Sequence, residues 1–416
     1  MIYFDNAATT YPKPECVYTA ADECLRNFGV NAGRGTYKAA RQASEEIQRT
    51  RGALAELVNV RNENSIILSP SATVAMNIVL NGLDYNSNTT VYISPFEHNA
   101  VARPLKRLSD IYGFSIEMLP FDGKTQELDM EAMRNKFIVK HPDIVIINHV
   151  SNVTGNILPI YEIFNASREY GAINILDASQ SLGLIPIDLS SQKTDFLVFA
   201  GHKNLYGSFG TGGFIYNSDV KLKSFLTGGT GSDSLNLDMP ANLPDLYEPA
   251  SHDIVSISAL SASLSWISDR GIKSIYSHKK ELTDYAVQNL SELSSITLYL
   301  PENRDKGTVC ERYMREYITS LKESQYQKRT EWLRKNVLNV KESIDTLTIS
   351  QCVQWQGIIS ELPEFLTETD LEDITTLSSM ITEKIKAQKI NGIIELYAAL
   401  SDDEKSECLR KLQEIQ

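Results

Sequence analysis

Between Ile66 and Tyr216 the chain alternates short apolar runs with longer stretches whose apolar residues recur every three or four positions. The short runs are Ile66-Ile67-Leu68, Val91-Tyr92-Ile93, Ser115 to Leu119, Asp143 to Asn148, Ile173 to Asp177, Thr194 to Phe199 and Phe214-Ile215-Tyr216. Runs of this length, flanked by turn residues, predict strands buried on both faces. The stretches between them predict helices. One opens at Ser69-Pro70-Ser71 with Ala75, Met76, Val79 and Leu80 on its apolar face, and others cover 99–112, 129–139 and 160–170. Two helices precede this region, one from Pro14 carrying Val17, Ala20, Ala21, Cys24 and Leu25, the other amphipathic over 38–58. Such alternation predicts an α/β fold with a mostly parallel sheet covered by helices on both faces.

After about residue 250 the pattern changes. Helices are expected over 254–267 and 272–293, with one further strand at 296–300. Beyond Cys310 the periodicity is helical and charge-laced, in segments near 311–324, 328–347, 350–361, 368–388, 391–399 and 402–414. Ser401 before Asp402-Asp403-Glu404 is an N-cap with acidic first-turn residues. Three parts are therefore expected: a large domain over 1–255, connecting helices and the remnant of a small domain over 256–309, and a separate all-helical domain over 310–416.

Composition narrows the function classes. With 416 residues, 42% hydrophobic and 22% charged, this is an ordinary globular chain long enough for two or three domains. A net charge of −13 lacks the basic footprint of a nucleic-acid binder. No apolar run reaches the length of a membrane span, and the first residues lack the basic region and apolar core of an export signal. The five cysteines, Cys16, Cys24, Cys310, Cys352 and Cys408, show no CxxC and no metal spacing, so no metal is expected and a reducing cytoplasm is.

The chemistry-bearing residues fall where predicted strands end, which is where open α/β sheets collect ligands. Gly201-His202-Lys203 follows one strand and precedes a glycine-rich loop. A lysine there can form a Schiff base if burial lowers its pKa, or can be an exposed lysine of an ordinary loop. Asp177 can hold a ring nitrogen protonated, or cap a helix or join a loop salt bridge. His98 can stack on an aromatic ring and move protons, or be structural. Ala72 and Thr73 open a helix, where backbone N–H groups and a hydroxyl suit a phosphate, or simple capping. An amine, a carboxylate, a stacking imidazole and a phosphate cradle together point to pyridoxal 5′-phosphate (PLP).

In order along residues 1–300, the chain carries Tyr3-Phe4-Asp5-Asn6-Ala7-Ala8-Thr9-Thr10, Gly33-Arg34-Gly35, Ser71-Ala72-Thr73, Glu97-His98-Asn99 and Ser151-Asn152-Val153-Thr154-Gly155. Asp177-Ala178-Ser179-Gln180, Gly201-His202-Lys203 and Gly228-Gly229-Thr230-Gly231-Ser232 complete the set. These motifs resemble the class V aminotransferase group of PLP enzymes (fold type I), and within it the cysteine desulfurases and selenocysteine lyases. The resemblance implies catalytic roles for Lys203, which would hold PLP as a Schiff base, and for His98, which would stack on its ring. Asp177 would pair the pyridine nitrogen and Gln180 the ring oxygen. Ala72, Thr73 and His202 would bind the phosphate, and Asn152 would lie near the ring or the substrate. Thr230 would reach the site of a second subunit, which implies a homodimer.

Several positions depart from the family pattern. Ala200 stands where many relatives have Ser, Ser208 where Pro is usual, and Glu248-Pro249-Ala250-Ser251 replaces Glu-x-Gly-Thr. After about Val309 there is no Arg-x-Gly-x-His-Cys-like run, and no strands for the small α/β domain that carries the nucleophilic Cys in relatives. The expected activity is thus a cysteine desulfurase-like reaction on cysteine or a similar small amino acid. The alternatives are a PLP lyase that needs no protein thiol, and a PLP-binding scaffold whose helical C-terminal domain binds a protein partner.

Overall fold

The computed structural model describes residues 3, 5–32, 35–230, 236–293, 298, 300, 336–337, 339–360, 368–399, 401, 404–406 and 411. Several sequence expectations lie outside them: Gly33-Arg34, Gly231-Ser232, most of the strand at 296–300, the helix at 311–324, Cys310, Cys408 and most of 402–414. The chain divides into two compact units, Met1–Arg315 and Glu316–Gln416.

In the first unit, seven strands among the described residues form one sheet: β1 (Ile66–Ser69), β2 (Thr90–Ile93), β3 (Ser115–Met118), β4 (Ile144–Asn148), β5 (Ile173–Asp177), β6 (Phe196–Ala200) and β7 (Gly212–Tyr216). Their order is β1-β7-β6-β5-β4-β2-β3. The β6-β5-β4-β2-β3 ladder is parallel, and β7 alone runs antiparallel to both of its neighbours. The crossover helices are α3 (Ala72–Gly82), α4 (Asn99–Tyr112), α5 (Met130–Val139) and α6 (Ile160–Arg168). The remaining helices are α1 (Glu15–Asn27), α2 (Lys38–Leu57), α7 (Ile254–Arg270) and α8 (Ile272–Ser291).

Alternation along each strand divides the core between two faces. Leu68, Val145, Ile147, Leu176, Leu197 and Phe199 pack with α1, α2 and α5 to α8. Ile67, Ile144, Ile146, Ile175, Val198 and Phe214 pack with α3 and α4. Each such fully buried side chain contributes about 1.5–3 kcal/mol of hydrophobic stabilisation. The result is a helix–sheet–helix sandwich whose strand ends meet along one edge of the sheet.

The second unit is described through α9 (Ile349–Ser360) and α10 (Glu368–Ala398), with Val337, Val340, Cys352, Ile374, Leu377 and Ile381 in its core. The spacing predicted two helices over 368–388 and 391–399, but α10 runs unbroken through Lys389-Ile390 and the Asn391-Gly392 pair that follows. A single interior Gly costs a helix only about 1 kcal/mol, which the flanking turns outweigh. Among the described residues no helix is long and apolar enough to cross a membrane, and no cluster of His, Cys, Asp or Glu could hold a metal.

Candidate active site

At the strand ends lies a cavity of about 400 Å3, and its wall brings together Ala72, Thr73, His98, Asn152, Asp177, Gln180, His202 and Lys203. Of the residues singled out by sequence, Thr230 is not in that wall; its expected role is in the site of a second subunit.

The turn that delivers Lys203 is built by close backbone approach. Gly201 N–H donates to Thr211 O at 3.0 Å, and Gly207 N–H donates to Gly201 O at 2.8 Å. A Cβ on Gly201 would sit 2.5 Å from Thr211 Oγ1, so only glycine fits there. The N-terminal arm clamps the same turn: Thr10 Oγ1 donates to Lys203 O at 2.7 Å, Thr9 Oγ1 to His202 O at 3.0 Å, and Lys13 Nζ to Thr10 O at 3.0 Å. Burial lowers the Lys203 pKa, opposed by the Asp177 charge, and the same cause brings Lys13 to about 8. A buried ammonium loses hydration, so the neutral amine, the nucleophilic form, becomes accessible.

Asp177 ends β5, a strand buried from Asn174 onward. Its Oδ1 accepts from Ser179 N at 2.9 Å in a local turn, where the alternative expected from sequence was a helix cap or a loop salt bridge. It does so while lining the cavity, so the local bond and ring binding are compatible. The same holds for His98. Its Nδ1 accepts from Ala100 N at 3.0 Å and caps α4, which leaves the proton of the neutral ring on Nε2. Gln180 Nε2 donates one proton to Ala7 O at 2.7 Å and keeps a second N–H.

At the other end, Ser71 Oγ caps α3 by accepting from Val74 N at 3.2 Å, and the first turn of α3 carries Ala72 and Thr73 into the wall. Gly212 on β7 permits this, because a Cβ there would lie 2.6 Å from Ala72 N. His202 stacks on Phe209, with ring centroids 4.7 Å apart, and its Nδ1 is buried without a partner. Burial, with Lys203 and Lys13 nearby, lowers its pKa to about 4 and keeps it neutral. An unpartnered buried imidazole beside a helix N-terminus and a hydroxyl fits an anionic oxygen group, and the donor set as a whole fits PLP.

Sequence reasoning missed Asn148, Ser71, Ser179 and Met76 in the wall. Asn148 had a signal: it is the one polar residue ending the apolar β4 run. The clamp by Thr10 and Lys13 had none, since the contacts span about 190 residues. Of the described cysteines of the first unit, Cys16 and Cys24, neither lines the cavity. Cys16 donates to Ala262 O, while Cys24 and Cys352 are buried. The departures also have structural consequences. Ser208 keeps a buried Oγ without a partner, and Ala250 adopts φ +82°, a conformation that suits the glycine of relatives better.

The sequence model of the family described as Aminotransferase class-V matches residues 2–320. A probable cysteine desulfurase of Pyrococcus abyssi is 30% identical over 313 residues, covering 74% of this chain and 76% of that one. A cysteine desulfurase of Escherichia coli is 29% identical over 316 residues, covering 73% and 76%. Among solved structures, the apo cysteine desulfurase of Thermococcus onnurineus matches with a TM-score of 0.68 at 26% identity, covering 74% of this chain and 77% of that one. A mutant C-DES chain with glycine covalently linked to its PLP cofactor shares the fold, with a TM-score of 0.59, 23% identity and coverage of 70% and 78%.

Proposed function

The chain belongs to the class V aminotransferase family as a PLP-dependent, cysteine desulfurase-like enzyme, and on that premise we propose that it acts on cysteine or a related small amino acid. The observation that carries the reading is the buried Lys203 amine at the end of β6, facing the same cavity as Asp177, His98 and the α3 N-terminus.

PLP supplies a carbonyl for an amine and an electron sink for the bonds at a substrate α-carbon. In this reading Lys203 is the residue that holds it, and later takes and returns a proton at the substrate. Asp177, fixed by Ser179 N–H through Oδ1, offers its other oxygen to the ring nitrogen. His98 covers one face with its proton on Nε2, and Gln180 offers its second N–H to the ring oxygen. Thr73, His202 Nδ1 and the first amides of α3 hold the phosphate, and Asn152 stands at the substrate side. Thr230 would serve a partner subunit, so the working form is a homodimer. The cofactor domain spans 1–255, joined through 256–309 to the helical part over 310–416.

A second reading is favoured by one observation: neither described cysteine of the first unit, Cys16 or Cys24, lines the cavity. Chemistry that needs no protein thiol, or a PLP-binding scaffold whose helical part binds a protein partner, fits that fact. Sulfide and alanine release from cysteine separates the readings when assayed with reductant in wild type and in Cys310→Ser, Cys352→Ser and Cys408→Ser. Sulfide release lost in one of these variants supports the desulfurase. Alanine formation unchanged in all three supports thiol-independent chemistry, and no release by wild type supports the scaffold.

A further inference from the structure

Beneath the cavity wall, Glu97 follows β2 and precedes the His98 cap of α4. The residue is half-buried overall, but its carboxyl is sealed: Oε2 is buried with no hydrogen-bond partner. Oε1 lies 2.6 Å from Ser94 Oγ and accepts from Asn148 N at 2.9 Å. Ser94 Oγ also lies 3.2 Å from Asn148 Oδ1 and accepts from Phe96 N at 3.1 Å. The orientation of the Asn148 amide is fixed, because its Nδ2 donates to Phe96 O at 2.8 Å.

Counting protons decides the state of this cluster. Ser94 has one hydroxyl hydrogen and faces two acceptors, Glu97 Oε1 and Asn148 Oδ1. If Glu97 is ionised, Ser94 must donate to the carboxylate, and Asn148 Oδ1 is left buried without a donor. If Glu97 carries a proton on Oε1, it donates to Ser94 and Ser94 donates to Asn148, so the chain of bonds closes. The charges around the group agree. Among the described residues Glu97 has no salt-bridge partner, and its titratable neighbour is Asp177, which stands opposite Asn148 in the β4–β5 register. Asp177 in turn faces Lys203 across the cavity. Burial, with the Asp177 charge adding to it, raises the Glu97 pKa to about 8.

We propose that Glu97 is a neutral carboxylic acid in the working enzyme, a positioning residue whose proton fixes the Asn148 side chain, through Ser94, in the cavity wall beside Asp177. Two carboxyl groups thus share one strand-end neighbourhood, with Glu97 adding no charge to it. This rests on the PLP reading for its consequence in catalysis, but not for its test.

Infrared spectroscopy of the protein without cofactor looks for the C=O band of a protonated carboxyl at pH 7, identified by its shift in D2O. The band is expected in wild type and absent in Glu97→Gln. Both bonds run through the one oxygen Oε1, which accepts from Asn148 N while donating to Ser94; neither amide atom of Gln can do both, so Glu97→Gln should weaken PLP about 10-fold. Ser94→Ala, which breaks the chain, should weaken PLP about 10-fold. The visible absorbance of the holoenzyme should show a step near pH 8 that Glu97→Gln lacks. A wild type with no protonated-carboxyl band at pH 7, or Glu97→Gln and Ser94→Ala proteins that bind PLP as tightly as wild type, overturns the proposal. Failure of wild type to bind PLP would refute the family reading while the infrared result still decides the state of Glu97.

Discussion

Arg51 and Glu248 form an ion pair at 2.6 Å with side chains 2% and 3% exposed, between α2 and the segment that follows β7. Glu248 Oε1 also accepts from Leu68 N at 2.6 Å, and Oε2 lies 3.0 Å from His252 Nε2. Arg51 Nη1 reaches Ile66 O at 3.3 Å, while its Nε is buried without a partner. The pair therefore ties the segment bearing Gly228-Gly229-Thr230 to the start of the sheet. Arg51→Met leaves the buried Glu248 carboxylate without its guanidinium partner, and Glu248→Leu strands a buried guanidinium. Either should cost about 3–5 kcal/mol. The double variant removes both charges and should cost less than the sum by about 2 kcal/mol or more, with a residual loss of about 1 kcal/mol from the unpaired Leu68 N–H. Urea unfolding of the four proteins completes the cycle, and amide exchange at Leu68 reads the local effect. Strictly additive single costs, or singles below about 1 kcal/mol, would refute the claim that the pair is one buried unit.

Ala250→Gly should stabilise the protein by about 1 kcal/mol in thermal unfolding, because Ala250 holds φ +82° where only glycine is unstrained. Burial lowers the pKa of His149, which is 4% exposed, from 6.5 to about 4. The unfolded chain then binds the extra proton, so this contribution is complete above pH 6.5 and is lost as pH falls towards 4. The interval corresponds to about 3 kcal/mol, and stability measured from pH 7 to 4 should fall less steeply in His149→Gln. Thr10→Val, which removes the 2.7 Å bond to Lys203 O, should lower turnover with a smaller effect on stability, of about 1 kcal/mol, as kinetics and urea unfolding of one preparation would show.

The sheet was legible because buried parallel strands must be apolar on both faces, so β2, β4, β5 and β6 stand out as short unbroken runs. Their ends then located the site: Asp177 and Lys203 follow such runs directly, and Thr73 and His98 sit in the first turns beyond. The reversal of β7 was not legible, since an apolar run carries no direction. Long-range pairings were equally silent. Arg51 reads as one more charge on an amphipathic helix, and only the fold brings Glu248 to it across 197 residues. Glu97 reads as part of a Glu-His motif, and nothing local says that its carboxyl points inward to Ser94 and Asn148. In α10 the periodicity left a gap at Lys389-Ile390, but the helix continues through it and through Gly392, because a Gly weakens a helical turn without removing its hydrogen bonds.

The account stands on Lys203 as the residue that holds the cofactor. Borohydride reduction of the PLP-loaded protein, followed by peptide mass spectrometry, tests this directly. The account predicts a reduced PLP adduct on the peptide containing Lys203, and none in Lys203→Ala. An adduct on another lysine of the wild type, or no adduct at all, would contradict it.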